Sequence, residues 1–219
     1  EPDESGVWDV RVRDAIENAD HQAETLFSLT NSTKILFSER VILTEGKTEQ
    51  TLLPELFQSV QGLTFDEAKT ALIGLDGVEN IPNAKSVLLA MGIPTKAIAD
   101  LDFIFRGAVA RGLVSETDAR FLKCLEILKR LEVDGKVSLH DDGLPTAHNG
   151  EKAAKAFELM SSEADAHPHI DLLHDSLKDQ GIWTWKKGTI ETHLGLASKK
   201  PSEHMRFLEQ INEASFLDE

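Results

Sequence analysis

The sequence predicts an α/β fold, in which a parallel β-sheet is flanked by helices and followed by a mostly helical second subdomain. Two observations support this prediction. In the first half of the chain, short apolar and β-branched runs alternate with helical patterns, and the connections between them are short. The chain has 219 residues, of which 41% are apolar and 28% charged, so it can bury a full globular core.

The first half predicts a helical lead-in and then strands and helices in alternation. Pro54 lies inside the first helix after the lead-in, which predicts either a kink or a late helix start. Gly92 and Pro94 end the next helix. The predicted lead-in covers 8–31, the strands cover 38–45, 70–75 and 96–102, and the helices cover 48–60 and 83–91.

The second half predicts mostly helices. Ser115 and Asp118 open a helix that continues to Val133. The buried stripe of this helix is predicted to be Phe121, Leu122, Leu125, Leu128 and Leu131. The remaining predicted segments are a loop at 134–150, helices at 151–165 and 168–179, a short strand after Gly181 and a closing helix at 202–214.

The charge and the cysteine content limit the class of protein. The net charge of −15 lacks the basic surplus with which free-standing nucleic-acid binders neutralise phosphates, so contact with nucleic acid would need divalent cations or another domain. The single cysteine, Cys124, lies among apolar residues at helical spacing, which predicts a buried structural thiol in a cytoplasmic protein. The acidic start, which has no initiator methionine and no secretory signal, predicts that the chain is part of a longer protein.

The tripeptide Gly46-Lys47-Thr48 has the sequence that ends a nucleotide-binding P-loop. A P-loop also needs a glycine five positions before the first residue of this tripeptide, and Val41 stands there in an apolar run. The neighbouring acids, Glu45 and Glu49, would repel a nucleoside polyphosphate. The segment is therefore interpreted as a strand that ends in an acid, a glycine turn, and a helix with a second acid in its first turn.

Acidic residues are predicted to meet at the carboxyl edge of the sheet. Glu45 ends the first strand, Asp100 and Asp102 end the third, and Glu49 begins the intervening helix. A strand would point Asp100 and Asp102 to the same face because they are two positions apart. At about 4 Å and an effective dielectric near 20, two like charges repel by about 4 kcal/mol. If these acids are more than exposed caps, they must bind protons, cationic side chains or hard cations such as Mg²⁺.

Two segments, "VILTEGKTEQ" at 41–50 and "AIADLDF" at 97–103, resemble the Toprim domain, which has a glutamate after its first strand and Asp-x-Asp after its third. Over 35–105 the chain resembles more closely the C-terminal nuclease region of the OLD (overcoming lysogenization defect) family. The resemblance implies a Toprim-type parallel sheet. The implied parts are a helical lead-in at 1–34, a Toprim catalytic core at 35–110, a helical subdomain at 111–180 and a strand–helix segment at 181–219 that completes the active site.

The resemblance also implies a metal site. The implied ligands of two divalent ions, Mg²⁺ or Mn²⁺, are Glu45, Glu49, Asp100, Asp102, Thr189 and Glu191. Glu45, Asp100 and Asp102 are also the implied catalytic acids, assisted by a lysine near the C-terminus. We favour Lys200 as this lysine, with Lys199 and Lys187 as alternatives.

Other chemically active residues have simpler interpretations. Asp76 ends the second strand and is interpreted as a turn former rather than as a residue behind the metal ligands. Trp183 and Trp185 alternate in a strand and are predicted to pack rather than to stack on bases. Five histidines lack the spacing typical of a zinc site. They are His140, His148, His167, His169 and His174.

These residues favour phosphodiester hydrolysis. A Toprim topoisomerase needs a tyrosine, which this chain lacks, and a primase would be expected to carry a basic template-binding surface. The expectation is therefore a Mg²⁺- or Mn²⁺-dependent DNA endonuclease that nicks or cleaves duplex DNA with two metal ions. The alternative is a non-catalytic Toprim module that scaffolds DNA-repair partners. The resemblance further implies an N-terminal ATPase domain outside this chain, with a helicase partner and a homodimer of the full-length protein as further options.

Overall fold

The computed structural model describes residues 32–75 and 80–211, and every structural statement below concerns these residues. The predicted lead-in helix at 8–31 and the turn residue Asp76 lie outside this range. In the described part of the chain, the helices are too short or too polar to cross a membrane.

The strands are β1 (Arg40–Thr44), β2 (Thr70–Gly74), β3 (Thr95–Ala99), β4 (Ser138–Leu139), β5 (Pro145–Thr146) and β6 (Ile182–Thr184). A four-stranded parallel sheet has the order β2-β1-β3-β6, and β4 pairs with β5 as a small antiparallel hairpin. Leu43 of β1 is level with Ile73 of β2 and with Ala97 of β3, which in turn is level with Ile182 of β6. The predicted α/β fold with a parallel sheet is confirmed.

The helices connect and cover these strands. A 3-10 helix at Ser32–Phe37 precedes β1. The α-helices are α1 (Lys47–Gln61), α2 (Ile81–Ala90), α3 (Asp102–Phe105), α4 (Gly107–Ala110), α5 (Ala119–Val133), α6 (Ala154–Ser161), α7 (His167–Asp179), α8 (Ile190–His193) and α9 (Pro201–Ile211).

The main hydrophobic core lies on one face of the sheet, here called the core face. Alternate strand residues such as Val41, Leu43 and Ile73 point to it and are almost fully buried. Apolar side chains of α2, α5, α6 and α7 pack against them. The ring of Phe105 stacks on those of Phe121 and Phe157, at centroid distances of 5.4 and 5.1 Å. The strand–helix pattern therefore places the carboxyl ends of β1, β3 and β6 at the rim of one well-packed core.

The opposite face of the sheet carries α1 and a smaller apolar cluster. Gln50 of α1 lies so close to Gly74 of β2 that a Cβ at this glycine would overlap the Gln50 amide. Leu52 of α1 packs with Phe207 and Ile211 of α9. This packing fixes the first turn of α1 at the carboxyl end of β1.

Several predicted elements differ from the structure. The late start of the first helix is wrong, since α1 begins directly after Gly46 and includes Pro54. The third strand ends at Ala99, so Asp100 follows the strand and Asp102 begins α3, and the strand alternation invoked for these two acids is wrong. The chain turns at this point because the backbone N–H of Leu101 donates to Gly188 rather than continuing the ladder.

The second half also needs corrections. The loop predicted at 134–150 contains the β4–β5 hairpin, which closes over the end of α5. Leu122 is 44% exposed and does not belong to the buried stripe of α5, whereas Cys124 and Ile127 do. At about 100° per residue, Phe121, Ile127, Leu128 and Leu131 all lie within about 60° of Cys124 around the axis of α5, whereas Leu122 lies about 160° from it. The predicted buried thiol of Cys124 is confirmed.

The two leucines of α5 provide a test of this packing. We expect Leu128→Ala to lower the free energy of unfolding by about 2–5 kcal/mol, because removal of the buried methyl groups of Leu128 leaves a cavity. Leu122→Ala, the matched control on the same helix, should change it by less than about 0.5 kcal/mol. Urea denaturation of both variants measures this difference. Similar losses in the two variants would contradict the burial described here.

Candidate functional site

A cluster of acids lies at the carboxyl edge of the sheet. Glu45 follows β1, Asp100 and Asp102 follow β3, and Glu49 lies in the first turn of α1. Glu191 lies in the first turn of α8, after β6. The topology brings these residues to one edge although they are far apart in sequence. They are called the acidic edge below.

A hydrogen bond joins the first two parts of the acidic edge. The backbone N–H of Asp100 donates to Glu45 Oε2 at 3.3 Å, so the Glu45 carboxylate reaches across from β1 to the end of β3. The turn after Glu45 is tight, because a Cβ on Gly46 would lie 3.2 Å from Glu49 Oε2. A residue larger than glycine would therefore crowd the Glu49 carboxylate. The structure brings these three predicted acids together.

The segment after β6 completes the acidic edge through backbone contacts. The N–H of Leu101 donates to the carbonyl of Gly188 at 2.7 Å, which ties this segment to the end of β3. Gly188 has φ of 110°, and a Cβ there would meet Glu158 at 2.6 Å, so the position requires glycine. Thr189 caps α8 by accepting a hydrogen bond from the N–H of Thr192. These contacts place Glu191 opposite the first turn of α1.

Glu191 has two specific partners. The hydroxyl of Thr48 in α1 donates to Glu191 Oε1 at 2.8 Å. Lys199 Nζ lies 3.5 Å from Glu191 Oε2. The side chain of Lys199 is 64% exposed, whereas that of Glu191 is almost fully buried. The first contact holds α8 against α1, and the second brings a solvent-accessible cation to the acidic edge.

Several oxygens of the acidic edge are buried without a hydrogen-bond donor. Among the described residues, these oxygens are Asp100 Oδ1, Asp102 Oδ1 and Glu191 Oε2. Buried polar atoms of folded proteins nearly always have a partner, and an exception calls for a proton, an ion or water. Glu191 Oε2 still has the Lys199 ammonium at 3.5 Å, whereas the oxygens of Asp100 and Asp102 have no cation of this kind, so the acidic edge is suited to a cationic ligand.

Burial and mutual repulsion raise the pKa of most of these carboxyl groups. Burial, followed by the charge of Asp102, raises the pKa of Glu45 to about 7. Burial, followed by the charge of Glu45, raises the pKa of Asp100 to about 9. Burial also raises the pKa values of Asp102 and Glu49 above their ordinary range. Without a cation, part of the acidic edge therefore holds protons at neutral pH.

Glu191 differs from the other acids. Burial acts to raise the pKa of Glu191, but hydrogen bonds from its own backbone N–H and from Thr48, together with the charge of Lys199, lower it below its ordinary value. Burial acts to lower the pKa of Lys199, but Glu191 and the other acids raise it. The Glu191–Lys199 ion pair therefore stays charged, whereas Glu45 and Asp100 hold protons near neutral pH.

The lysine interpretation changes with the structure. Lys199, one of the alternatives, is the cation whose charge acts on all the acids of the edge. The ammonium of Lys200 forms no ion pair with an acid in 32–75 or 80–211; its backbone N–H donates to Ser198. Lys187 likewise forms no ion pair with an acid of the described residues, and its backbone N–H donates to the ring of His193.

The donor chemistry of the acidic edge fits a hard divalent cation. Carboxylate oxygens, with a threonine hydroxyl beside them, are the ligands that Mg²⁺ and Mn²⁺ take in proteins. The carboxylate oxygens do not converge on a single position, since no three acids, histidines or cysteines of the described residues are arranged to hold a metal ion. The fit is therefore one of donor type, burial and charge. The carboxyl side chains would have to rotate to complete a coordination sphere.

The sequence predictions missed two residues at this edge. Thr48 orients Glu191 through a hydrogen bond from its hydroxyl. It is the last residue of the Gly46-Lys47-Thr48 tripeptide, so a motif that does not bind a nucleotide here still marks a residue of the acidic edge. Trp185 follows β6; its indole Nε1 is buried, acts on the pKa of Glu49 and lacks a hydrogen-bond partner of normal geometry within the described residues. Its ring lies 5.3 Å from that of His193.

The histidines of the zinc alternative contact protein groups. His148 hydrogen-bonds to the hydroxyl of Ser138, His167 to the carbonyl of Ser161, and His174 to the hydroxyl of Thr184. These contacts are distributed over the hairpin, the start of α7 and the edge of β6. They do not bring the histidines to the acidic edge.

A parallel sheet with a glutamate after β1 and Asp-x-Asp after β3 defines the Toprim class of α/β domains. The sequence model of the TOPRIM domain of overcoming lysogenization defect protein-like proteins matches residues 36–102. This segment is therefore a Toprim domain of the OLD family. The class implies binding of a divalent metal ion in general terms.

Individual relatives extend the likeness beyond this segment. The chain is 28% identical over 193 residues to Old nuclease of Escherichia phage P2, an alignment that covers 87% of this chain and 32% of the relative. The chain thus spans about a third of the length of that relative.

Two solved structures are similar to the chain. They are the C-terminal region of the Xanthomonas campestris pv. campestris OLD protein (18% identity, TM-score 0.36, covering 84% of this chain and 82% of that one) and that of the Burkholderia pseudomallei OLD protein (16% identity, TM-score 0.34, covering 82% and 76%).

The raised pKa values predict how stability depends on pH. In the unfolded chain these carboxyl groups titrate near their ordinary values of 3.8 and 4.5, whereas in the folded chain Glu45 titrates at about 7 and Asp100 at about 9. Folding therefore binds protons in this window, and the stability of the metal-free protein falls as the pH rises from 5 to 9. Urea denaturation at several pH values in a chelating buffer measures this fall.

Asp100→Asn should flatten the pH dependence and stabilise the metal-free protein at pH 8, because it removes a carboxyl group that must ionise while buried. Asp141→Asn, a change at an exposed aspartate of the β4–β5 hairpin, serves as the matched control and should follow the wild type. If Asp100→Asn loses stability between pH 5 and 9 as steeply as the wild type, the pKa of Asp100 is not raised in the folded protein.

Proposed function

We propose that this chain is the catalytic region of a metal-dependent DNA endonuclease that hydrolyses phosphodiester bonds with two divalent ions, Mg²⁺ or Mn²⁺. The observation that carries the proposal is the acidic edge, where buried carboxylate oxygens of Asp100 and Asp102 lack donors. A purely structural edge gains nothing from this arrangement, because each such oxygen costs free energy.

The acids divide into two groups that would hold the two ions. Glu45, Asp100 and Asp102 surround the ends of β1 and β3, and Glu49 and Glu191 belong to the facing first turns of α1 and α8. The hydroxyl of Thr189 would supplement the second group. When bound, such ions would neutralise the charge of a phosphodiester and make a water molecule a better nucleophile.

The protein's own residues prepare this chemistry. The Asp100 N–H holds the Glu45 carboxylate in place, and Thr48 holds that of Glu191, so one carboxylate of each group is oriented before a ligand arrives. The raised pKa values of Glu45 and Asp100 mean that cation binding must release protons from the edge. Cation affinity should consequently increase with pH over this range.

Lys199 is proposed as the assisting lysine. Its ammonium is exposed and already near the acids, so it can contact a phosphate oxygen that enters the edge from solvent. A lysine in this role provides a mobile point charge. Lys200, adjacent in sequence, has no comparable contact with the edge, which makes the pair a natural test.

The acidic composition is consistent with a nuclease that needs cations to approach DNA. The net charge of −15 opposes binding to phosphates, and ions at the acidic edge would reverse the charge locally. The name of the phage P2 relative, Old nuclease, supports the same reaction class. By the same likeness we propose a longer cytoplasmic protein with an ATPase region, a helicase partner and a homodimeric state, and the four-part division given above remains a prediction.

One observation favours a second function. No three acidic, histidine or cysteine side chains within the described segments are closed around a point, as a pre-formed metal site would require. A non-catalytic Toprim module that scaffolds DNA-repair partners would need no such closure. The scaffold alternative and the nuclease differ in whether the acids matter for DNA cleavage.

Cleavage of supercoiled plasmid separates these functions. We expect nicking in the presence of Mg²⁺ or Mn²⁺, none with excess chelator, and a loss of at least about 100-fold in Asp100→Ala, since even outer-shell changes at metal sites cost up to that factor. Asp141→Ala is the matched exposed control and should nick like the wild type. Absence of nicking by every variant, over both metals and a range of pH, would sink the nuclease proposal and leave the scaffold. Equal nicking by wild type and Asp100→Ala would place the activity elsewhere or in a contaminant.

The neighbouring lysines give a second kinetic test. We expect Lys199→Ala to slow nicking about tenfold, equivalent to about 1.4 kcal/mol of transition-state stabilisation, and Lys200→Ala to have little effect. Initial nicking rates at saturating metal measure both. The reverse order of effects would return the assisting role to Lys200.

A further inference from the structure

Trp185 has a buried indole nitrogen that no acceptor of the described residues reaches with normal hydrogen-bond geometry. An indole N–H can only donate a hydrogen bond, so its burial without an acceptor costs free energy. Such groups are rare in folded proteins. The acceptors around this nitrogen therefore decide what Trp185 does.

The backbone of Trp185 is held at the carboxyl end of the sheet. Its N–H donates to the carbonyl of Ala99, the last residue of β3, at 3.0 Å. Its own carbonyl accepts a hydrogen bond from the N–H of Gly188, also at 3.0 Å. These bonds place Trp185 beside the end of β3, where Asp100 begins its part of the acidic edge.

The side chain of Trp185 packs between helices. It lies against the apolar cluster that contains Leu52 of α1 and Ile190 of α8. Its ring also lies 5.3 Å from the ring of His193, whose Nε2 accepts a hydrogen bond from the N–H of Lys187 at 2.9 Å. These contacts hold the indole in place, so its N–H stays inside the protein.

Glu49 lies on the part of α1 that packs near Trp185. It is buried, with 4% of its surface exposed, and it precedes Leu52 by three residues, so the two side chains share one face of the helix. The neighbouring Thr48 donates to Glu191 at 2.8 Å and thereby fixes this turn of α1 against the start of α8. Because Trp185 packs against the same two helices, its indole and the Glu49 carboxyl group lie close together.

The indole also acts on the charge of this carboxyl group. Burial raises the pKa of Glu49 above its ordinary range, and the indole N–H of Trp185 acts in the opposite direction. A donor with this effect stabilises the ionised carboxylate, which is the form that binds a cation. The contact therefore favours the state of Glu49 that a metal site needs.

We propose that Trp185 is a positioning residue, whose indole N–H donates to the Glu49 carboxylate when a divalent cation binds at the acidic edge. A carboxylate that binds a cation through one oxygen can accept a hydrogen bond at the other, and carboxylates at metal sites are commonly held in this way. The proposal rests on the proposed function, because it needs a cation at this edge. It adds a role for a residue that is not itself a ligand.

The ¹⁵N–¹H spectrum of the indole groups tests the proposal without measuring activity. The chain has three tryptophans, and Trp8→Phe/Trp183→Phe retains only the Trp185 signal and so identifies it. We expect Mg²⁺ to move this signal downfield in the wild type, as the hydrogen bond forms, and to leave it in place in Glu49→Gln. Glu55→Gln, at an exposed acid of the same helix, is the matched control and should respond like the wild type.

Cation affinity provides a second measurement. We expect Trp185→Phe, which keeps an aromatic ring but lacks the N–H, to weaken Mn²⁺ binding about tenfold, the lower end of what changes behind the ligands cost at metal sites. Trp183→Phe, at a tryptophan that is 40% exposed, should bind Mn²⁺ like the wild type. Electron paramagnetic resonance of free Mn²⁺ measures these affinities, and urea denaturation verifies that each variant is folded.

The outcomes separate this inference from the nuclease proposal. If the wild type binds Mn²⁺ but Mg²⁺ leaves the Trp185 signal in place, or moves it equally in Glu49→Gln, the inference is overturned and the nuclease proposal stands. Unchanged Mn²⁺ affinity in Trp185→Phe has the same meaning. A wild type that binds neither ion would refute the metal site itself and both proposals with it.

Discussion

The acidic edge depends on the placement of several carboxyl groups that are half-buried or buried at one end of the sheet. Burial disfavours the charged form of each group, and the neighbouring charges add to this effect. Backbone contacts nevertheless keep the groups together, because Asp100 donates its N–H to Glu45 and Leu101 donates its N–H to Gly188. Burial of the large apolar core of the sheet offsets the free-energy cost of these carboxyl groups. Such local costs are typical of binding and catalytic sites.

The two sides of the acidic edge differ in how their negative charge is reduced or balanced. Around Glu45 and Asp100 the carboxyl groups retain protons, whereas Glu191 remains ionised through Thr48 and Lys199. The first side can therefore accept positive charge by releasing protons, and the second already carries a balanced pair. A cation that binds at the second side must compete with Lys199, which is free to move because it is exposed. This difference gives the edge an asymmetry that a set of identical acids would not have.

Sequence patterns predicted the sheet well because the alternation of short strands and helices is local. They also predicted that Glu45, Asp100 and Glu191 belong to one edge, partly from parallel-strand topology and partly from family resemblance. The patterns failed where tertiary contacts decide the backbone: β3 ends at Ala99 because Leu101 bonds to Gly188, whose sequence position gives no hint of this. The choice between Lys199 and Lys200 likewise depends on how the chain enters α9, which spacing alone does not specify.

Trp185 connects the two surfaces of greatest interest. It lines a groove over β3 and β6 on the sheet face opposite the core, packs with the apolar cluster of α1 and α9, and acts on the pKa of Glu49 with its indole. Its backbone is held by a hydrogen bond from its N–H to the carbonyl of Ala99 and by one from the N–H of Gly188 to its own carbonyl. The groove on this face of the sheet and the acidic edge thus share one side chain.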